Sequence, residues 1–364
     1  MHDAHTRNFL FPPPTFILLP AVGIDVSDRS IKFARLIPKA NGFNLGEFGD
    51  EPLGPGIVES GRIISPDRLV EVLIKIRKEH NVSFVRAALP EEQMYFFRMT
   101  VTDGKEASLR DAIELSLEEH VPIAAVEAVF DFEVVGRSGA DVEVAVTAAS
   151  RAVIESYADT FARAGLTLLS LELEAQAVAR TVVHRQDAFA HLIVDFGETR
   201  TGIAVSYGGQ VYFTSTVNIG GQMLTETLAK HFGISVPEAE AMKREFGLRR
   251  NSPRQDLFSL LLNNVAVLRD EINRHFIYWH THPDESGKPR PPIEQIILVG
   301  GDSNLAGLPD YLSTSLRVKT VVANVWTNVD LPEHGVPDLT RNDSLGYATA
   351  IGLSLHDANR DQIV

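Results

Sequence analysis

Hydrophobic and polar positions change period several times along the chain, and each change predicts an element. Ala21–Val26 and Ile31–Leu36 are apolar, β-rich runs separated by a short polar turn, which predicts a hairpin. Phe43–Gly49 offers a third strand. Ser65-Pro66-Asp67 opens a helix, with proline near the first position and an acid in the first turn. Leu69, Leu73 and Ile76 follow at helical spacing. Phe84–Leu89 is a short apolar strand. Residues 91–165 then form what reads as a self-contained small α+β module. Its order is strand (Tyr95–Val101), helix (Lys105–Glu119), two strands (Val129–Val135, Val142–Ala149) and helix (Arg151–Ala164). An Ala-rich helix is expected over residues 172–184.

A second apolar strand, His191–Phe196, is followed by a polar turn and strands Gly202–Tyr207 and Gln210–Val217. Helices are predicted over Gly221–Phe232 and Val236–Phe246. The second is opened by Ser235-Val236-Pro237-Glu238, a capping box in which hydroxyl and carboxylate satisfy each other's backbone donors. A long helix from about Arg254 to His280 carries Leu257, Leu261, Val265, Leu268, Ile272, Phe276 and Trp279 at spacings of three and four, so one face is buried. Asp284–Pro292 reads as a loop and Ile296–Val299 as a buried strand ending in Gly300-Gly301. Strands alternating with helices define the α/β class.

Composition narrows the function. The 364 residues hold 34 Lys and Arg against 48 Asp and Glu, a net charge of −14. That argues against nucleic acid and against broad adhesion to anionic lipid. The absence of cysteine excludes disulfides, thiolate metal sites and cysteine nucleophiles. The apolar stretch Phe9–Pro20 is too short to span a bilayer and is broken by Pro12, Pro13 and Pro14, so residues 1–20 are expected to be a loose tail on a cytosolic protein. His275, His280 and His282 match no standard zinc spacing and are expected to solvate or cap the long helix.

The two hairpins resemble each other. Val22-Gly23-Ile24-Asp25-Val26-Ser27-Asp28-Arg29 lines up with Leu192-Ile193-Val194-Asp195-Phe196-Gly197-Glu198-Thr199. Each aspartate ends an apolar strand just before a turn. Such turns expose successive N–H groups that can cradle phosphate, and the aspartates can hold Mg²⁺ through water or orient an attacking water. Gly220-Gly221 precedes a helix, Glu240 and Lys243 lie one turn apart, and Gly300-Gly301 joins a strand to a helix start.

In this order the motifs resemble the actin-like ATPase superfamily, and within it the FtsA-like branch that contains the PilM family of type IV pilus assembly proteins. The resemblance rests on Gly23–Lys32, on Asp195-Phe196-Gly197 with Thr201, on Gly220–Thr225, on Ala239–Lys243 and on Gly300–Leu308, and spans residues 21–356. It implies two duplicated α/β lobes around a nucleotide cleft. The first lobe would comprise 21–90 with 166–190 and 343–364, and the second 191–342, with a helical part at about 221–292. An inserted subdomain would occupy 91–165.

The resemblance also implies ATP and Mg²⁺ as ligands. Asp25, Ser27, Arg29, Ser30 and Lys32 would lie at the first phosphate hairpin, and Asp195, Gly197 and Thr201 at the second. Glu174 would position the hydrolytic water, with Asp25 and Asp195 the metal-holding carboxylates. Gly220, Gly221, Glu240 and Lys243 would approach the phosphates, ribose and adenine edge, and Gly300, Gly301 and Ser303 would form the adenosine shelf.

The sequence departs from the pattern at Ser27, Asp28 and Arg29, where the family has Gly-Ser-Ser. A Cβ at 27 hinders the backbone if φ is positive, and Asp28 would bring negative charge towards phosphate. Nucleotide binding with at most weak ATPase activity is therefore expected. The implied partners are the cytoplasmic tail of a PilN-like inner-membrane protein, other pilus assembly components and a second copy of the chain, with membrane contact only through partners. Three alternatives stand beside this: an FtsA-like division protein, a degenerate scaffold that does not hydrolyse ATP, and a sugar kinase, for which no sugar-pocket aspartate is found. The C-terminal residues His356–Val364 have no apolar face for the membrane helix of the first.

Overall fold

The computed structural model describes residues 21–39, 42–102, 106–249, 254–284, 287–329 and 338–356. The tail expected at 1–20 and the chain end after His356 lie outside the described residues.

The expected hairpin is β1 (Val22–Val26) and β2 (Ser30–Lys39), and β3 (Gly42–Pro52) extends it antiparallel. A short pair, β4 (Val58–Glu59) and β5 (Arg62–Ile63), leads to α1 (Pro66–Glu79), which buries Leu69, Leu73 and Ile76 as their spacing requires. Ser65 stands at its N-cap without a side-chain cap bond. β6 (Phe84–Leu89) runs parallel to β1.

Next come β7 (Met94–Val101), α2 (Glu106–His120), β8 (Ala128–Ser138) and β9 (Asp141–Ser150), with the strands in the order β7-β9-β8. Leu109, Ile113 and Leu117 fix α2 to this small sheet. Helix α3 (Arg151–Arg163) was expected to complete the module, but Tyr157 and Phe161 lie in the core of the first sheet with Leu69 and Leu73 of α1. An amphipathic helix buries its stripe where apolar surface is largest, and α1 supplies it.

β10 (Thr167–Leu173) is a strand parallel to β6, and α4 begins only at Glu174 (Glu174–Val182). The Ala-rich helix expected from residue 172 is thus shortened. Glu172 is a buried strand residue, paired with Arg180 at 2.8 Å and with Nδ1 of His356 at 2.8 Å.

The second half repeats the first. β11 (Ala190–Phe196), β12 (Thr201–Tyr207) and β13 (Gln210–Val217) are antiparallel neighbours. Then follow α5 (Gly221–Phe232), α6 (Val236–Phe246) and α7 (Gln255–Thr281). The Ser235–Glu238 capping box forms on α6. α7 buries Leu257, Leu261, Val265, Leu268, Ile272 and Trp279, with Phe276 partly buried against the same core. At its end, His280 Nε2 accepts from the Ile293 N–H at 3.3 Å and His282 stacks on Tyr278. β14 (Ile293–Val299), α8 (Leu308–Leu316), β15 (Thr320–Val322), α9 (Arg341–Ser344) and α10 (Ala348–Ser354) complete the chain.

The two larger sheets have one topology: β3-β2-β1-β6-β10 and β13-β12-β11-β14-β15, with matching strand directions. The duplication read from two hairpins therefore extends to whole sheets. α4 and α10 lie between them, in one apolar cluster that joins Ala34 of β2, Ile193 of β11, Ile297 of β14 and Ile351 of α10. This core sets the ends of β1 and β11 opposite each other.

Candidate functional site

A cavity of about 630 Å³ opens where the two hairpins meet, and Asp25 at the end of β1 and Asp195 at the end of β11 both line it. Each is followed by the same four-residue turn. The Ser27 N–H donates to the Ser30 carbonyl at 3.0 Å, and the Gly197 N–H to the Arg200 carbonyl at 3.0 Å. Lys32, opposite Asp25 in the strand register, points into the same space, as do Glu174 at the start of α4, Ser27, Arg29, Gly197, Gly300 and Gly301.

Other expected ligand residues stand behind the wall. Ser30 is buried and its Oγ accepts from Lys32 Nζ at 2.8 Å. The Thr201 hydroxyl donates to the Ile219 carbonyl at 2.6 Å, and the Ser303 hydroxyl to Val299 at 2.5 Å. Lys243 is buried, with Nζ 2.6 Å from Asp302, 2.8 Å from Glu240 and 3.2 Å from the Gly221 carbonyl. Glu240 also accepts from Thr225 at 2.6 Å. These side chains shape the wall and do not face the cavity.

Gly220 and Gly221 serve a close approach, but of chain to chain. The Gly221 and Gln222 N–H groups donate to the Gly197 and Glu198 carbonyls at 3.0 and 2.8 Å, so the start of α5 is bonded to the second turn. A Cβ on Gly220 would lie 2.2 Å from the Glu198 carbonyl oxygen, and one on Gly221 2.0 Å from the Asp302 carboxylate. Gly300, at φ +90°, presses against Asp195, whereas a Cβ on Gly301 would meet nothing within 4 Å. Only Gly301 of these keeps open space before its backbone.

The departures at 27–29 resolve individually. Ser27 is absent from the positive-φ positions, so its Cβ carries no backbone strain. Asp28 turns away from the cavity and accepts from the Ser60 and Gly61 N–H groups, both at 3.1 Å. Arg29 reaches across the mouth to the second half, donating to Gln222 at 2.6 Å and lying 3.7 Å from Glu198.

Sequence reasoning missed Arg200 and Glu91. Arg200 sits on the second turn beside three acids from the first half: Glu92 at 3.1 Å, Glu174 at 3.4 Å and Asp28 at 3.9 Å. Glu91, just before β7, accepts from the Ala175 N–H at 3.0 Å and from the Thr214 hydroxyl of β13 at 2.5 Å. Its only sequence signal is an acid two residues beyond an apolar strand, after Pro90.

Burial raises Asp25, Asp195, Glu174 and Glu91 at this cavity. Asp25 is pushed up by desolvation, with Lys32 opposing and Asp195 adding to the rise. Desolvation and then Glu174 raise Asp195; desolvation raises Glu174 against the pull of Arg200. Glu91 is raised to about 8, by burial first, with its Thr214 bond opposing and Glu174 reinforcing. A raised acid binds a proton in the native state that the unfolded chain has released, so between about pH 4.5 and 8 stability falls as pH rises. Glu91→Gln keeps an acceptor without the titration. Urea midpoints measured from pH 5 to 8 should fall less steeply in this variant than in the wild type.

Two α/β halves of one topology, with an aspartate from each at the rim of a shared cleft, define the actin-like ATPase fold. The model of the family described as type IV pilus assembly protein PilM matches residues 23–358, and the chain belongs to that family. Its structure is similar to the PilM–PilN type IV pilus biogenesis complex at TM-score 0.76 and 21% identity, over 93% of this chain and 98% of that one. The ethanolamine utilization protein EutJ from Carboxydothermus hydrogenoformans is similar at TM-score 0.56 and 17% identity, over 95% and 90% of the two chains. MreB5 of Spiroplasma citri bound to ADP gives TM-score 0.58 and 13% identity, over 94% and 98%. In sequence, the cell division protein FtsA of Neisseria meningitidis serogroup B (strain ATCC BAA-335 / MC58) is 24% identical over 247 residues, 62% of this chain and 57% of FtsA. The match thus spans little more than half the length of that curated relative. No helix among the described residues is long and apolar enough to cross a membrane.

Proposed function

We propose that this chain is a nucleotide-binding adaptor of type IV pilus assembly, taking ATP with Mg²⁺ between its halves. It would hold the cytoplasmic tail of a PilN-like inner-membrane protein, as the solved PilM–PilN complex pairs those two proteins. The observation that carries the nucleotide reading is the pair of matched turns, with Asp25 and Asp195 bordering one cavity. Lys32 and Arg29 fit phosphate as cations, and the N–H groups of Thr199 and Arg200 have no protein acceptor among the described residues. The cavity volume lies within the range of about 300–1,000 Å³ usual for small-molecule sites.

Mg²⁺ held through water by Asp25 and Asp195 would offset phosphate charge. Glu174 stands at the cavity wall where a water can be oriented, but Arg200 already engages its carboxylate at 3.4 Å, which favours slow hydrolysis or none. Arg29, already bonded to Gln222, links the halves at the mouth, so a ligand that draws Arg29 inwards changes how they meet.

Thermal unfolding of the full chain tests this. Mg-ATP should raise the melting temperature in a concentration-dependent way that needs both metal and nucleotide. The tail peptide should bind with an affinity that differs between the ATP-loaded and free chains. No ATP-dependent shift, with tail binding retained, would leave a scaffold that works without nucleotide.

A further inference from the structure

The two turns are alike in span and hydrogen bonding, yet differ in what occupies their amides. In the second turn, position 197 is glycine, and the N–H groups of Thr199 and Arg200 are without a protein acceptor among the described residues. In the first turn the matching position is Ser27. Its Oγ accepts from the Ser30 N–H at 3.1 Å and from the Arg29 N–H at 3.4 Å, while donating to the Ser30 carbonyl at 2.9 Å. Those two N–H groups correspond, turn for turn, to the Thr199 and Arg200 amides left open in the second turn.

We infer that Ser27 is a built-in plug of the first phosphate turn, which sets nucleotide affinity by competing with phosphate for the turn's own amides. The inference rests on the nucleotide reading of the cleft. Ser27 lines the cavity, so the competition takes place at the ligand surface and not in the core. Phosphate recognition is consequently lopsided. The second turn offers free backbone donors, and the first offers side chains, Lys32 and Arg29. Ser27 needs no special backbone, since it is absent from the positive-φ positions; the serine is there for its hydroxyl or at no conformational cost, and glycine is permitted in its place.

The test compares the full-length wild type with Ser27→Gly and Ser27→Ala, titrated by calorimetry with Mg-ATP and, separately, with adenosine. Freeing two amides for a charged acceptor should tighten Mg-ATP binding by about tenfold in both variants. Adenosine binding should not change, since it carries no phosphate. The reciprocal variant Gly197→Ser should weaken Mg-ATP by a similar factor. A Cβ there meets only the Arg200 carbonyl, at 3.1 Å, so the hydroxyl can be installed with a small adjustment. Melting temperatures of all variants are recorded in parallel, and Ser27→Ala carries the test if Ser27→Gly unfolds.

Equal Mg-ATP affinity in wild type and both Ser27 variants overturns the plug and leaves the nucleotide reading standing. Adenosine tightening as much as Mg-ATP also overturns it, because the effect would then be a general loosening of the cleft. Binding that appears only in the Ser27 variants supports it in its strongest form. No binding by any of the three overturns both the plug and the nucleotide reading.

Discussion

Arg200→Ala is expected to lower the free energy of unfolding by about 3–5 kcal/mol at neutral pH. The guanidinium is only 14% exposed and stands among Glu92, Glu174 and Asp28. Its removal leaves carboxylates of the first half buried without the cation that the second half supplies. The cost of breaking such a group exceeds the net worth of forming it, because the acids keep their desolvation penalty and lose its compensation. The loss should shrink at pH 5, where Glu174, pushed up by burial, takes up a proton, and grow at pH 8. Arg200→Lys should recover part of it, since one ammonium cannot serve three carboxylates as a planar guanidinium does. Urea unfolding at the two pH values checks all three statements, read on the first transition if the halves unfold separately.

Lys243→Met is expected to cost a similar amount, by about 3–5 kcal/mol, for a related reason. Lys243 is 4% exposed and pairs with both Asp302 and Glu240 while donating to the Gly221 carbonyl. The Asp302 carboxylate lies directly over Gly221, so an unpaired charge there strains the start of α5 and, through it, the second turn. Adding Asp302→Asn to Lys243→Met should restore much of the loss, because the uncompensated charge and not the missing volume carries the cost. If the double variant is no more stable than the single one, packing of the lysine stem explains the effect instead.

Much of this organisation is legible in the sequence. The long helix α7, the capped helix α6 and both hairpins follow from periodicity, caps and turn residues, all of which are local. The pairing of Asp25 with Asp195 follows from the repeat, because homologous strand ends in duplicated sheets meet at one cleft. What escaped was long-range. The helix expected from residue 172 takes in the last two residues of β10, and only Arg180 and His356 explain a buried glutamate there. Tyr157 and Phe161 show an amphipathic stripe whatever they pack on, so periodicity could not tell that α3 joins α1. Gly220 and Gly221 announce a close approach without saying of what, and they admit Glu198 and Asp302 of the protein itself. Arg200 was one residue of a polar turn, and its role depends on three acids distant in sequence.

The account stands on two aspartates bordering one triphosphate site from opposite sides, and equilibrium titration of Mg-ATP into wild type, Asp25→Ala and Asp195→Ala tests that most directly. It predicts one nucleotide per chain, dependence on Mg²⁺, and affinity at least about tenfold weaker in each variant, the scale of one lost charged interaction. Binding that survives unchanged without either aspartate, or that ignores Mg²⁺, would contradict it.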